Sequence, residues 1–150
     1  MDNHKSISIL NELIIINNDR VEGYKTAYIE AEETDLKILL EGFQETSEKN
    51  IVALSAAVRH LGGEVEEGTR ATGKFFRFWM DFKATLTGNN RGTILDSCEF
   101  GEDKALEAYE TALDDKEALA PDHIALILAQ QAAIRADHDK VKALRDEAME

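Results

Sequence analysis

Apolar residues return every three or four positions along most of the chain, and this period predicts long helices. The first predicted helix runs from about Ser6 to Ala31. Its inward stripe is Leu10, Ile14, Asn17, Val21, Tyr24, Tyr28 and Ala31. The second begins with Thr34 as N-cap and Asp35 in the first turn, and runs to about Leu61. Its inward residues are Leu36, Leu40, Phe43, Ser47, Leu54, Val58 and Leu61.

Two more helices are predicted in the second half of the chain. The third runs from about Thr93 to Leu113, and its stripe is Leu95, Cys98, Glu102, Ala105, Tyr109 and Ala112. The fourth runs from Pro121 to about Ala148, with the proline in the first turn, where a missing N–H costs nothing. Its inward residues are Ile124, Ile127, Leu128, Gln131, Ile134, His138, Val141 and Leu144 or Arg145.

The connections between these helices predict how they are arranged. The short connection before Thr34 makes the first two helices an antiparallel pair, and Gly62-Gly63 ends the second. About 30 residues then separate the second helix from the third, enough to return the chain along the whole bundle. The second and third helices would then run parallel. The segment Phe75–Phe82 in this connection carries half of the aromatic residues. We interpret it as a helical crossover lying across the bundle or, alternatively, as a homodimer contact.

Composition narrows the class of protein. A length of 150 residues, 43% of them hydrophobic, suits one domain over 1–150. The net charge of −13 disfavours binding to nucleic acid phosphates or to anionic lipid. The single cysteine, Cys98, excludes an internal disulfide and is interpreted as a buried apolar side chain. The cluster 13–16 is too short to span a membrane and no secretory signal is recognised, so we expect a cytoplasmic protein.

Glu102 is the residue that calls for an explanation, because it falls on the apolar stripe of the third helix. A buried carboxylate is costly unless it is paired, hydrogen-bonded or bound to a metal. If the second and third helices run parallel, Glu22, Glu45 and His138 lie at about the depth of Glu102, given a rise of about 1.5 Å per residue. These four positions could therefore form one polar layer.

Two interpretations of this layer stay open. A di-iron or di-manganese centre in a bundle uses a Glu from each of two helices and a Glu-x-x-His pair from each of the other two. Here the candidate ligands are Glu22, Glu45, Glu48, Glu102 and His138. The pattern is incomplete, since Arg135 stands three residues before His138. The alternative is a structural layer, in which Glu102 pairs with His138 or with an Arg or Lys, near Asn17 and Gln131.

Several strings together resemble a known family. They are Asn18-Asp19-Arg20-Val21-Glu22-Gly23-Tyr24, Val58-Arg59-His60-Leu61-Gly62-Gly63-Glu64, Trp79 with Leu86 and Gly88, Gly101-Glu102-Asp103-Lys104-Ala105 with Tyr109 and Ala112-Leu113, and Gln131 with His138-Asp139-Lys140-Val141 and Leu144-Arg145-Asp146. The chain resembles an uncharacterised bacterial family of four-helix-bundle proteins in the ferritin-like superfamily. The resemblance implies a ferritin-like fold with a crossover before the third helix. It implies no activity, because the family is itself of unknown function.

The sequence thus predicts an all-α, ferritin-like four-helix bundle with a helical crossover between its second and third helices. The predicted role is non-catalytic, structural or in protein interaction, with no cofactor and with assembly into a homodimer or larger homo-oligomer. The alternative is a ferritin-like protein that binds iron or manganese and acts in iron storage or in oxygen or peroxide chemistry. A third possibility is an adaptor that recruits a protein partner through Phe75–Phe82. The pattern assigns no reaction class.

Overall fold

The computed structural model describes residues 3–67 and 91–148, and these are almost entirely helical. The long helices are α1 (Asn3–Glu30), α2 (Thr34–His60), α3 (Arg91–Asp114) and α4 (Pro121–Ala148). A short 3-10 helix, Lys116–Ala118, joins α3 to α4. The predicted all-α architecture with four long helices is therefore confirmed for these ranges. The predicted aromatic crossover, Phe75–Phe82, lies outside the described residues.

Contacts between helix ends and middles give the direction of each helix. Arg91, at the start of α3, binds Glu33 and Asp35 at the start of α2, so α2 and α3 run the same way. The Ser6 hydroxyl, near the start of α1, donates to the carbonyl of Ala118, beyond the end of α3. Helix α1 is thus antiparallel to α3. Helix α4 is antiparallel to α2, because Gln130 donates to the Asn50 carbonyl (3.2 Å) while the earlier Thr46 lies near enough to the later Asp137 to lower the pKa of its carboxyl.

The core is divided into two apolar halves along the bundle. The half at the N-terminal end of α1 includes Leu10, Leu13, Ile14, Leu54, Val58, Leu106, Tyr109 and Ile127. The half at the opposite end includes Tyr24, Leu36, Leu40, Phe43, Leu95, Cys98 and Val141. Buried polar residues lie between them, including Asn17, Arg20, Ser47, Asn50 and Glu102. The middle of the bundle is therefore a polar layer between two hydrophobic clusters.

Helix α2 ends as predicted but does not begin as predicted. Gly62 has φ +82, and the amides of Gly62 and Gly63 bond the carbonyls of Arg59 and Val58, both at 3.0 Å. This satisfies carbonyls of the last turn, as a glycine terminator does. At the other end the N-cap is Glu33 rather than Thr34, and no side chain caps the helix.

The predicted inward faces need two corrections. Tyr28 on α1 is 37% exposed and Leu128 on α4 is 49% exposed, although the helical period predicts both on buried stripes. The buried glutamine of α4 is Gln130 (5% exposed), next to the predicted Gln131. Helix α4 has few apolar residues, so including Leu128 among them rotates the predicted inward face away from the face that is buried in the structure.

Candidate functional site: a buried charged layer

Glu102 lies at the centre of the polar layer, and one of its two carboxylate oxygens accepts two hydrogen bonds. Its side chain is 0% exposed. Glu102 Oε1 accepts hydrogen bonds from Arg20 Nη2 at 2.7 Å and from the Tyr24 hydroxyl at 2.5 Å. The buried carboxylate predicted from the stripe is confirmed, and its partner is an arginine, one of the pairings that the structural interpretation allowed.

Arg20 brings a positive charge into the same place. Its side chain is 0% exposed, and its guanidinium carbon lies 5.6 Å from the centroid of the Tyr24 ring. Burial by itself lowers the pKa of Arg20, but the charge of Glu102, together with Tyr24, holds that pKa above its ordinary value. The guanidinium therefore stays charged inside the bundle.

A second carboxylate, Asp137 on α4, shares the same guanidinium. Asp137 Oδ2 lies 3.9 Å from Arg20 Nη2, and its side chain is only 9% exposed. Burial and the charge of Glu102 raise the pKa of Asp137 to about 6, against the opposing effects of Arg20 and of the Thr46 hydroxyl. When both carboxylates are ionised, the layer holds two negative charges and one positive charge.

Four buried atoms of the layer keep unused hydrogen-bonding capacity within the described part of the chain. They are Arg20 Nε and Nη1, Glu102 Oε2 and Asp137 Oδ2. Buried polar groups are normally satisfied, often by ordered water, so these donors and acceptors mark where polar molecules would be held. Because the atoms include donors and acceptors close together, water suits them better than an ion of either sign.

A neutral network continues the layer toward the apolar cluster at the N-terminal end of α1. Asn17 Nδ2 donates to the Tyr109 hydroxyl at 2.8 Å, and that hydroxyl donates to Gln130 Oε1 at 2.7 Å. Gln130 donates to the Asn50 carbonyl, and Asn50 donates to Asn17 Oδ1, both at 3.2 Å. Burial raises the pKa of Tyr109 to about 12, so the hydroxyl keeps its proton. This closed ring of bonds uses one residue from each of the four long helices.

The residues predicted as metal ligands are not brought together. Glu22, Glu45 and Glu48 are exposed, and Glu48 accepts a hydrogen bond from Gln44 at 2.9 Å. His138 bonds Asp103 Oδ1 through Nε2 at 2.9 Å rather than Glu102. Among the predicted ligands, Glu102 is the one in the buried layer.

The predicted depth of the layer along the bundle is close to the observed depth. The predicted rotation of α1, α2 and α4 about their own axes is wrong, so neighbouring residues face inward. At the depth of Glu102 the structure places Arg20, Thr46 and Asp137, within two positions of the predicted Glu22, Glu45 and His138. A strict alternation of three- and four-residue steps passes through the missed residues. On α1 it is Leu10, Leu13, Asn17, Arg20, Tyr24, Ala27 and Ala31; on α4 it is His123, Ile127, Gln130, Ile134, Asp137 and Val141; all are buried. Following that repeat through charged residues would have found Arg20 and Asp137.

Comparison with known proteins places the chain in a family. The family described as Domain of unknown function (DUF2383) matches residues 5–115. The chain belongs to this family. The DUF2383 match spans Arg20, Tyr24 and Glu102, whereas Asp137 lies on α4, beyond the matched residues. No curated protein matches the sequence.

The DUF2383 chain also carries a group of potential metal ligands outside the layer. Ligand atoms of Glu99, Asp103 and His138 all lie within 4.8 Å of one another, the one such group found in residues 3–67 and 91–148. Glu99 Oε1 is already bonded to Arg145 Nη1 at 2.6 Å, so a cation there would compete with the guanidinium. None of the four long helices has the length and apolar content needed to cross a bilayer.

Proposed function

We propose that this chain is a cytoplasmic, ferritin-like bundle protein with a non-catalytic, structural or interaction role, in which Arg20 supplies the positive charge that a metal ion supplies in metal-binding bundles. The observation that carries the proposal is the Arg20–Glu102 pair, 2.7 Å apart with both side chains 0% exposed. The charge needed to stabilise a buried carboxylate is thus provided by the protein itself.

The helix directions support the ferritin-like part of the proposal. Up-down bundles with short loops alternate direction at every helix, whereas ferritin-like bundles contain one long crossover. Here α2 and α3 run the same way, as the contact of Arg91 with Asp35 requires (2.6 Å). The end of α2 and the start of α3 therefore lie at opposite ends of the bundle, which supports a crossover between them.

The donor set of the layer does not fit a dinuclear metal centre. Such a centre takes four carboxylates and two imidazoles from four helices. The layer offers Glu102 and Asp137, with no histidine hydrogen-bonded to either among the described residues, and Arg20 lies between them. A permanently charged guanidinium within 4 Å of both carboxylates would repel a divalent cation at that position.

The role we assign to the layer is to fix the register of the helices. A buried ion pair adds little net stability, because desolvation offsets the attraction between its charges. It does penalise every arrangement that leaves one charge unpaired. Arg20 lies on α1, Glu102 on α3 and Asp137 on α4. A shift of any one of these helices along the bundle axis would therefore leave a buried charge without its partner.

Glu102→Ala tests this role. It should lower the free energy of unfolding by about 3 kcal/mol, because the buried Arg20 guanidinium loses its partner at 2.7 Å and keeps the more distant Asp137 at 3.9 Å. Arg20→Met combined with Glu102→Leu and Asp137→Asn should recover most of that loss, since all three charges of the layer are removed together. Urea denaturation followed by circular dichroism measures both effects.

The exposed Glu110 on the same helix provides the control, and Glu110→Ala should change stability by about 0.5 kcal/mol or less. If Glu102→Ala does not fold, Glu102→Gln replaces it, because the amide keeps an acceptor for Arg20 and Tyr24. A Glu102 variant as stable as the Glu110 control would overturn the structural role.

An iron- or manganese-binding role is the second candidate. It is favoured by the clustering of Glu99, Asp103 and His138, whose chemistry of two carboxylates and one imidazole suits either metal. This site would depend on His138 and not on Glu102. Metal uptake that is lost in His138→Ala but kept in Glu102→Ala would support it over the first candidate.

A further inference from the structure

The outer face of α2 carries a stripe that the interior of the bundle does not use. Its members recur at alternating steps of four and three: Ile38, Gly42, Glu45, Lys49, Val52 and Ala56. Ile38 is 68% exposed and Val52 is 71% exposed. The central part of the stripe belongs to an open surface pocket of about 470 Å³, whose lining among the described residues is Glu45, Glu48, Lys49, Val52, Ala53 and Ala56. This spacing is that of a helix seam that packs against another helix.

We propose that the stripe docks onto the same stripe of a second copy of this chain, so that two α2 helices pair antiparallel about a two-fold axis passing near Ser47. In such an isologous contact the same surface serves both partners and must complement itself. Residues equally far from Ser47 in the sequence then face each other across the axis.

The side chains of the stripe match in size and in charge under this symmetry. Ile38 faces the partner's Ala56, and Val52 faces the partner's Gly42, so each large side chain meets a small one. Glu45 faces the partner's Lys49, and the symmetry repeats that pair. All six positions are accounted for by these three pairs and their symmetry mates. A parallel pairing would instead set Glu45 against its own copy and Lys49 against its own copy, which is repulsive.

Gly42 gives an independent reason to expect a close neighbour. A Cβ added there would meet nothing within 4 Å, so the fold of the single chain does not require a glycine. A glycine inside a helix costs about 1 kcal/mol relative to alanine. Facing the partner's Val52, its missing side chain lets the two helices approach closely. The proposed contact shares no side chain with the Arg20–Glu102 pair, so it can be tested independently of the proposed function.

A charge swap tests the proposed dimer. The intact protein should be dimeric in sedimentation velocity and should dissociate on dilution. Lys49→Glu and Glu45→Lys should each weaken association about tenfold or more, because each places like charges face to face at two symmetric points. The double variant Glu45→Lys/Lys49→Glu should restore the wild-type dissociation constant. The control is Lys142→Glu, an equal charge reversal at an exposed position on α4, which should leave association unchanged.

A cysteine pairing experiment tests the register. Gly42→Cys protein mixed with Val52→Cys protein should form a cross-chain disulfide on mild oxidation, and neither variant alone should do so efficiently. Cys98 is buried and does not compete. A wild-type chain that is monomeric at all concentrations overturns the proposal. So does a dimer that tolerates Lys49→Glu as well as Lys142→Glu, or one that the charge swap fails to restore, since its contact would lie on another face or in another register.

Discussion

One guanidinium serves two carboxylates in the middle of the bundle. Arg20 Nη2 is 2.7 Å from Glu102 Oε1 and 3.9 Å from Asp137 Oδ2, so the guanidinium interacts more strongly with Glu102 than with Asp137. Asp137 is the less well compensated acid, and burial together with Glu102 raises its pKa to about 6. Its ionisation near neutral pH therefore opposes folding.

Asp137→Asn should stabilise the protein at pH 8 and have little effect at pH 4. A carboxyl whose pKa is raised in the folded state binds its proton more tightly there than in the unfolded chain. The stability that this proton contributes is present below the ordinary pKa near 3.8 and is lost as the pH rises through about 6. The variant should be more stable than wild type by roughly 1–2 kcal/mol above pH 7.

The measurement is the difference in unfolding free energy between wild type and variant from pH 4 to pH 8. Taking the difference removes the pH dependence that comes from the other acidic groups. Glu110→Gln, at an exposed site, should show a small difference that does not change with pH. A difference for Asp137→Asn that is equally flat would contradict the raised pKa.

The sequence makes some of these residues predictable and not others. Glu102 could be found because the residues four before and three after it, Cys98 and Ala105, are apolar and continue its stripe. Arg20 and Asp137 are harder to find, since a charged residue normally indicates the solvent-facing side of a helix, and only the repeat of their buried neighbours, continued through a charge, leads to them. Their burial follows from each other's charge, and pairings between helices are not visible along the chain.

At the scale of single elements, the C-terminus of α2 depends on one glycine. Gly62 adopts φ +82, a conformation that is costly for other L-residues, and its amide and that of Gly63 bond carbonyls of the last turn. An added Cβ at Gly62 would meet no other atom within 4 Å, so the requirement is conformational rather than steric.

Gly62→Ala should therefore lower the free energy of unfolding by about 1–2 kcal/mol. Gly62→Asn should cost less, because asparagine tolerates the left-handed conformation better than other residues with a side chain. Urea denaturation of the two variants gives the comparison directly. Equal losses for alanine and asparagine would mean that something other than the backbone conformation sets the cost.

The elements themselves were largely predictable, because their ends carry clear signals. Gly62-Gly63 and Pro121 end and begin helices in the sequence, and do so in the structure. The rotation of α4 is easily misjudged from single apolar residues, because polar Gln130 and Asp137 occupy inward positions while apolar Leu128 is 49% exposed. The seven-residue repeat of Ile127, Ile134 and Val141 gives the correct face. Which residue of a helix faces inward is decided by its neighbours on other helices.

At the scale of the whole molecule, the direction of the helices decides which side chains can meet. The length of the connection allows α2 and α3 to run parallel, and the contact of Arg91 with Glu33 and Asp35 shows that they do. This parallel arrangement places Glu102 at the depth of Arg20 and Asp137, in the polar layer between the two apolar halves of the core. Depth along the bundle is set by topology and helical rise, so it could be estimated from the sequence. Whether a metal ion or an arginine pairs with Glu102 could not be estimated, since either positive charge stabilises a buried carboxylate.

The most direct test of the account is the metal content of the protein. Untagged protein would be analysed for iron, manganese and zinc by elemental mass spectrometry, before and after anaerobic incubation with ferrous iron. We expect far less than one metal ion per chain in wild type, with no change in Glu102→Ala. One or two ions per chain, lost in Glu102→Ala, would contradict it, because Glu102 would then be a metal ligand and not the partner of Arg20.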